Sequence, residues 1–143
     1  MAPAEREIVI PYAPRGIALP FHNGPARFKV LVWHRRAGKT VACVNHLIRA
    51  AVMAEAELAR FAYVAPLYKQ AKAVAWDYLK HFSAPIPGRK VNEAELRIDF
   101  PNGARIQLFG ADNYDALRGL ALDGIVLDEY AQMPPKAWTE VIR

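Results

Sequence analysis

Gly38-Lys39-Thr40 and Asp128-Glu129 are the residues whose types and order could carry out phosphoryl chemistry. A triphosphate is held by backbone N–H groups that approach it closely and by the positive end of a helix dipole, which calls for a residue without a side chain at Gly38. Arg36, Ala37 and Gly38 then form the expected backbone cradle, Lys39 would reach the β- and γ-phosphates, and the Thr40 hydroxyl would ligate Mg²⁺. This is the closing half of the pattern G-x-x-x-x-G-K-[ST], whose first glycine position falls here on Trp33. Ile125-Val126-Leu127-Asp128-Glu129 is the complementary motif, an apolar strand ending in two carboxylates. Asp128 is expected to hold Mg²⁺ through water, and Glu129 to orient or deprotonate the attacking water. Arg35 and Arg36 lie inside the loop, where a guanidinium could offset charge developing on the transferred phosphoryl group. Two adjacent arginines do not readily point the same way, so Arg35 is the preferred phosphate sensor. Each motif taken alone is also an ordinary strand-to-helix turn or a strand ending in solvated acids; their order within one alternating pattern favours chemistry.

The elements that must position these residues follow from periodicity. Arg27–Trp33, RFKVLVW, reads as a buried strand after the turn Asn23-Gly24-Pro25, and KTVACVNHLIRAAVMAEAEL from Lys39 reads as a helix of about five turns. A second strand and helix follow, Phe61–Ala65 stopped by Pro66 and Tyr68–Phe82 ended before Pro85. Glu95–Phe100 and Ala104–Phe109 flank Pro101-Asn102-Gly103 as a β-hairpin, Gly124–Leu127 is a short strand, and Pro134-Pro135 opens a last helix, Lys136–Ile142. This alternation predicts an α/β fold, a mostly parallel sheet flanked by helices and carrying a hairpin, with ligands beyond the carboxyl ends of the strands.

The whole chain sets bounds. Its 143 residues, 53% of them hydrophobic, suit one domain with one core. Lys and Arg number 19 against 14 Asp and Glu, a net +5 that favours a polyanionic partner only weakly. Cys43, the single cysteine, cannot form an internal disulfide, the four histidines lack zinc-site spacing, and no apolar run has membrane-span length. A cytoplasmic protein is expected. On the second helix Lys69, Lys72, Trp76 and Lys80 share one face, with Arg89 and Lys90 beyond it. That stripe could contact DNA phosphates or a neighbouring subunit, though a solvated helix face with one partly buried tryptophan is the simpler reading. Asp112 and Asp115 make a poor nuclease pair, since Asp112 fits better as a helix N-cap.

WHRRAGKT, YVAPLYKQAKAVAWDYL and GADNYDALRGLALDGIVLDEYAQMPPKAWTEVIR together resemble successive motifs of the large terminase subunits of tailed bacteriophages, over about residues 8–143. The resemblance implies a P-loop NTPase fold of the RecA-like (ASCE) type and an Mg²⁺-dependent ATPase that drives viral DNA into procapsids. That family tolerates the missing first glycine and places an arginine at the position of Arg35. It also implies double-stranded DNA as substrate, a homo-oligomeric ring at a portal, a small terminase subunit as partner, and the host bacterial cytoplasm as setting. Leu117-Arg118-Gly119 matches a segment in which an arginine finger is a candidate, and Arg118 could equally pair with Asp112, Asp115 or Asp123. Tyr12-Ala13-Pro14-Arg15 resembles a lead-in where adenine is commonly contacted, so Tyr12 and Arg15 are candidate nucleotide contacts, with a surface-packing arm as the alternative. The implied organisation is a lead-in, residues 1–26, and an ATPase core, residues 27–143. The core is expected to be incomplete at its C-terminal side, lacking the coupling segment and the nuclease domain. A non-hydrolysing nucleotide-binding module and another P-loop translocase or helicase-like ATPase stay open as alternatives.

Overall fold

In RFAYVA, bulky and small residues alternate, and this segment forms β1, Arg60–Ala65, the buried central strand of the computed structural model, which describes residues 7–142. Residues 1–6 of the expected lead-in, and residue 143, lie outside that range. The other strands are β2 (Lys90–Asn92), β3 (Arg97–Asp99), β4 (Arg105–Gly110) and β5 (Gly124–Leu127), in spatial order β2-β3-β4-β1-β5. β1 runs parallel to both β4 and β5, whereas β3 is antiparallel to β4 and to β2. The sheet is therefore mixed: a parallel core of β4-β1-β5 extended at one edge by the hairpin and by β2, a strand the sequence pattern did not indicate. Asp123 closes the ladder at the start of β5, its backbone N–H donating to Arg60 O (2.7 Å) and its carboxylate accepting from Arg60 N (2.9 Å).

Period-two alternation divides β1 between two apolar layers. Phe61, Tyr63 and Ala65 face a layer that includes Val44, Leu47 and Ile48 of α2 (Lys39–Val52) and Leu79 and Phe82 of α4 (Asp77–Ser83). Ala62 and Val64 face Ala111, Leu117 and Met133 on the other side. α3 (Tyr68–Ala71) continues through a π-helical turn, Lys72–Trp76, directly into α4. A π turn accommodates an extra residue and shifts the helical phase. Trp76 is consequently only 2% exposed, donates its indole N–H to Glu93 (2.7 Å) and lies under the Lys80 ammonium. Within the lysine–tryptophan stripe, the tryptophan is thus buried more fully than the partly buried one expected on a solvated face.

Two expected elements differ. Arg27–Trp33 forms no strand: Phe28, Val30 and Val32 are 70%, 87% and 89% exposed. A strand exists only where a neighbour completes its hydrogen-bond ladder; β1 is flanked by β4 and β5, and residues 27–33 do not pair with the outer edge of β5 either. Leu31 and Trp33 still turn inward, Leu31 against the α2-side layer and Trp33 edge-on to Phe21. The helix from Lys39 is shorter than its alanine-rich sequence suggests, because Asn102 from the hairpin turn donates to Ala51 O (2.8 Å) and satisfies a C-terminal carbonyl there. At the chain's other end Ala137–Ile142 forms one π-helical turn after Pro134-Pro135. No helix among the described residues is long and apolar enough to cross a membrane.

Candidate functional site

The loop entering α2 owes its shape to two left-handed residues, Arg36 (φ 62°) and Gly38 (φ 83°), on either side of the buried Ala37. Gly38 is the residue preceding the first turn of α2, and its carbonyl accepts from Ala42 N (2.9 Å). Its positive φ favours glycine, and the nearest atom to a Cβ built there would be Arg15 Nε, at 4.0 Å. Backbone N–H groups arranged this way at a helix start make an anion-binding concavity. Arg15 is drawn to this loop from the N-terminal segment, its Nη1 donating to Arg36 O (3.2 Å). Arg35 and Arg36 themselves are exposed. Among the described residues none accepts a hydrogen bond from the Lys39 ammonium.

β5 delivers Asp128 to the same place. The Asp128 N–H extends the ladder by donating to Val64 O (2.8 Å), and its Oδ2 accepts from the Tyr63 hydroxyl (2.6 Å). Thr40 lies in the first turn of α2, which packs against β1 and β5. Burial, and then the bond to Asp128, push the Tyr63 phenol well above its ordinary value, so it stays a hydroxyl donor. Cys43, one turn along α2, is pushed up to about 12 by burial and next by the Asp128 carboxylate, while Lys39 acts in the opposite sense. The start of α2, with Lys39 and Thr40, and the end of β5, with Asp128, thus belong to elements that pack on each other. A hard hydroxyl oxygen and a hard carboxylate oxygen are the donor set that suits Mg²⁺.

Glu129 follows in a left-handed conformation (φ 52°), exposed, at the start of the short turn Tyr130–Gln132. Left-handed backbone at a non-glycine residue costs about 1–3 kcal/mol, and it swings the Glu129 side chain off the line of β5. Arg118 is exposed and paired with Asp115, Nη2 at 2.9 Å and Nε at 3.2 Å from Oδ1, beside the left-handed Gly119. Tyr12 does not accompany Arg15 to the loop. Its hydroxyl meets His22 Nε2 at 2.7 Å and its ring packs edge-on against Phe82. Asp112 sits inside the first turn of the 3₁₀ segment Ala111–Leu117, and Gly110 holds the cap position assigned to it by the sequence pattern.

Tyr63 is the site residue that sequence reasoning missed. The available signal was a lone tyrosine in an otherwise small and apolar strand, since a buried phenol requires a partner for its hydroxyl. Two concavities, about 270 and 360 Å³, are lined by α1 (Leu19–Asn23), the end of α2 and residues 26–33 rather than by Lys39, Thr40 or Asp128. Neither concavity coincides with the loop before α2.

No protein-family model and no curated protein matches the chain. Solved structures do. The large terminase ATPase domain of Thermus phage P74-26 superposes with a TM-score of 0.74 at 24% identity, over 92% of this chain and 59% of that one. The large terminase of another thermophilic bacteriophage matches with a TM-score of 0.61 at 23% identity, over 73% of this chain and 27% of its own. A structure of that terminase in complex with ATP-γ-S matches with a TM-score of 0.57 at 23% identity, over 71% of this chain and 25% of its own. The chain spans well under two thirds of the length of each of these relatives. A mixed sheet with helices on its faces, a glycine loop opening α2 and a β5 ending in Asp128 thus belong, in this chain, to the fold of phage large terminase ATPase domains.

Proposed function

We propose that the chain is the ATP-binding and ATP-hydrolysing part of a viral DNA-packaging motor of the large terminase type. What supports this reading is a left-handed Gly38 opening α2, which packs against β5 with Asp128 just beyond its end, within a fold shared with terminase ATPase domains. In this reading the N–H groups of residues 36–40 and the Lys39 ammonium bind the phosphates, and Thr40 and Asp128 hold Mg²⁺. Bound Mg²⁺ would neutralise phosphate charge and orient the γ-phosphoryl group. Glu129 positions the attacking water and takes its proton, because it follows the last residue of the metal-binding strand end and is open to solvent. Arg35 offsets charge on the transferred group, and Arg15, held against the loop, contacts the nucleotide beside it. Arg118 serves as a finger once released from Asp115, a weak exposed pair whose breakage costs at most about 1 kcal/mol. Tyr12 would reach adenine only by leaving His22. Double-stranded DNA, a ring of copies and a small terminase subunit belong to this reading as partners. So does the division into a lead-in, residues 1–26, and a core, residues 27–143.

A second reading, nucleotide binding without turnover, is favoured by one observation: residues 27–33, which lead into the loop, are not anchored in the sheet. Titration with ATP and steady-state hydrolysis with and without DNA separate the two. Lys39→Ala is expected to weaken ATP binding by the worth of a charge-assisted hydrogen bond, about 1.5–3 kcal/mol, or roughly tenfold or more in Kd. Glu129→Gln should retain binding and lose turnover. Unchanged affinity in Lys39→Ala would remove the phosphate assignment, and binding without hydrolysis in the unmodified chain would select the second reading.

A further inference from the structure

We propose that Tyr63 is a positioning residue for the Mg²⁺ shell, fixing the Asp128 carboxylate through its hydroxyl. The inference rests on the reading of Thr40 and Asp128 as metal-binding residues and concerns a residue outside the two motifs. Tyr63 is 1% exposed and lies in the middle of β1, flanked by β4 and β5, so its ring has no freedom to swing to solvent. In register it stands opposite Val126, and Val64 opposite Leu127. Asp128 is therefore the first residue past the paired part of β5, where backbone pairing alone leaves a carboxylate free to rotate. The 2.6 Å bond from the Tyr63 hydroxyl fixes Oδ2, leaving Oδ1 without a partner among the described residues. One rigid hydroxyl on β1 thus orients the carboxylate carried at the end of the neighbouring strand. A metal ligand oriented by such a partner binds its ion more tightly than a free one, commonly by 10–100-fold.

A buried tyrosine that merely satisfies its hydroxyl on the nearest acceptor would behave differently when the hydroxyl is removed. It would lose stability and leave metal dependence alone. The test is binding of a fluorescent ATP analogue across a Mg²⁺ titration and in EDTA, for the unmodified chain, Tyr63→Phe and Asp128→Asn, with thermal unfolding as the fold control. Tyr63→Phe should bind the analogue in EDTA as the unmodified chain does, and should need roughly tenfold more Mg²⁺ for half-maximal tight binding. Asp128→Asn should lose the Mg²⁺ response. An unchanged or lowered Mg²⁺ requirement in Tyr63→Phe overturns the proposal. If the unmodified chain binds no tighter in Mg²⁺ than in EDTA, the metal-site reading fails and the proposal falls with it. Should Tyr63→Phe not fold, ¹³C-tyrosine spectra of the unmodified chain decide. The Tyr63 resonance moves when Mg²⁺ is added to the ATP complex if its hydroxyl is tied to the shell, and a resonance that stays put counts against the idea.

Discussion

Gly110 ends β4 where the backbone of Tyr68 crosses it at the start of α3, and the absence of a side chain there permits the crossing. A Cβ at this position would overlap Tyr68 N and Cα and the Asp112 carboxylate, while the backbone angles of Gly110 (φ −106°) are ordinary. The constraint is therefore steric rather than conformational, unlike that at Gly38. Gly110→Ala is expected to destabilise the fold by about 1–3 kcal/mol, the usual cost of overpacking, measurable as a lowered urea midpoint with unchanged slope. A midpoint within error of the unmodified chain would show that α3 can retreat without cost. Tyr63 belongs to this scale too: one hydroxyl in an apolar strand holds the carboxylate of Asp128.

At the scale of elements, α1 is fastened to α2 through imidazoles. Tyr12 meets His22 Nε2, His22 Nδ1 meets His46 Nδ1 at 3.0 Å, and the two rings stack with Phe21 beside them. Two Nδ1 atoms facing each other can bond only if one donates and the other accepts, so protonating both breaks the link. Burial, then Lys29, the neighbouring His22 and Arg49, lower His46 to about 4; burial, then Arg49 and Lys29, lower His22. Both cations are held close by backbone carbonyls of the same region, Lys29 on Phe21 O and Arg49 on His22 O. The unfolded chain binds more protons than the folded one between those lowered values and the ordinary 6.5. Stability thus rises with pH in that window and is lost as pH falls from about 6.5 towards about 4. Equilibrium unfolding followed from pH 7 to pH 4.5 should show this loss, and His46→Gln should flatten it. A slope identical in the two chains would place the acid sensitivity elsewhere.

For the molecule as a whole, the segment before the loop tests how the domain is held together. If residues 27–33 lie outside the sheet, polar substitution there is cheap. Val30→Thr with Val32→Thr should change stability by no more than about 0.5 kcal/mol each, whereas Ile106→Ala, fully buried in β4, should cost about 2–5 kcal/mol. A comparable loss from the valine substitutions would mean that the segment is buried in solution.

Much of the local geometry of the candidate site was legible in sequence because neighbours in the chain set it. Gly38-Lys39-Thr40 needs only a left-handed turn before a helix, and Leu127-Asp128-Glu129 only the end of an apolar strand, and both features appear where periodicity and turn chemistry put them. The Ala- and Leu-rich helix, the Pro101-Asn102-Gly103 hairpin and β1 were readable for the same reason. What local pattern could not decide was pairing. RFKVLVW has the composition of a strand, yet whether it is one depends on a partner strand, and among the described residues it has none. Nor could it place Trp76, whose face depends on a π turn, or Tyr63, whose meaning arises only when β5 brings Asp128 alongside. Sequence determines residue types and short-range geometry; long-range contact decides which of those residues share a site.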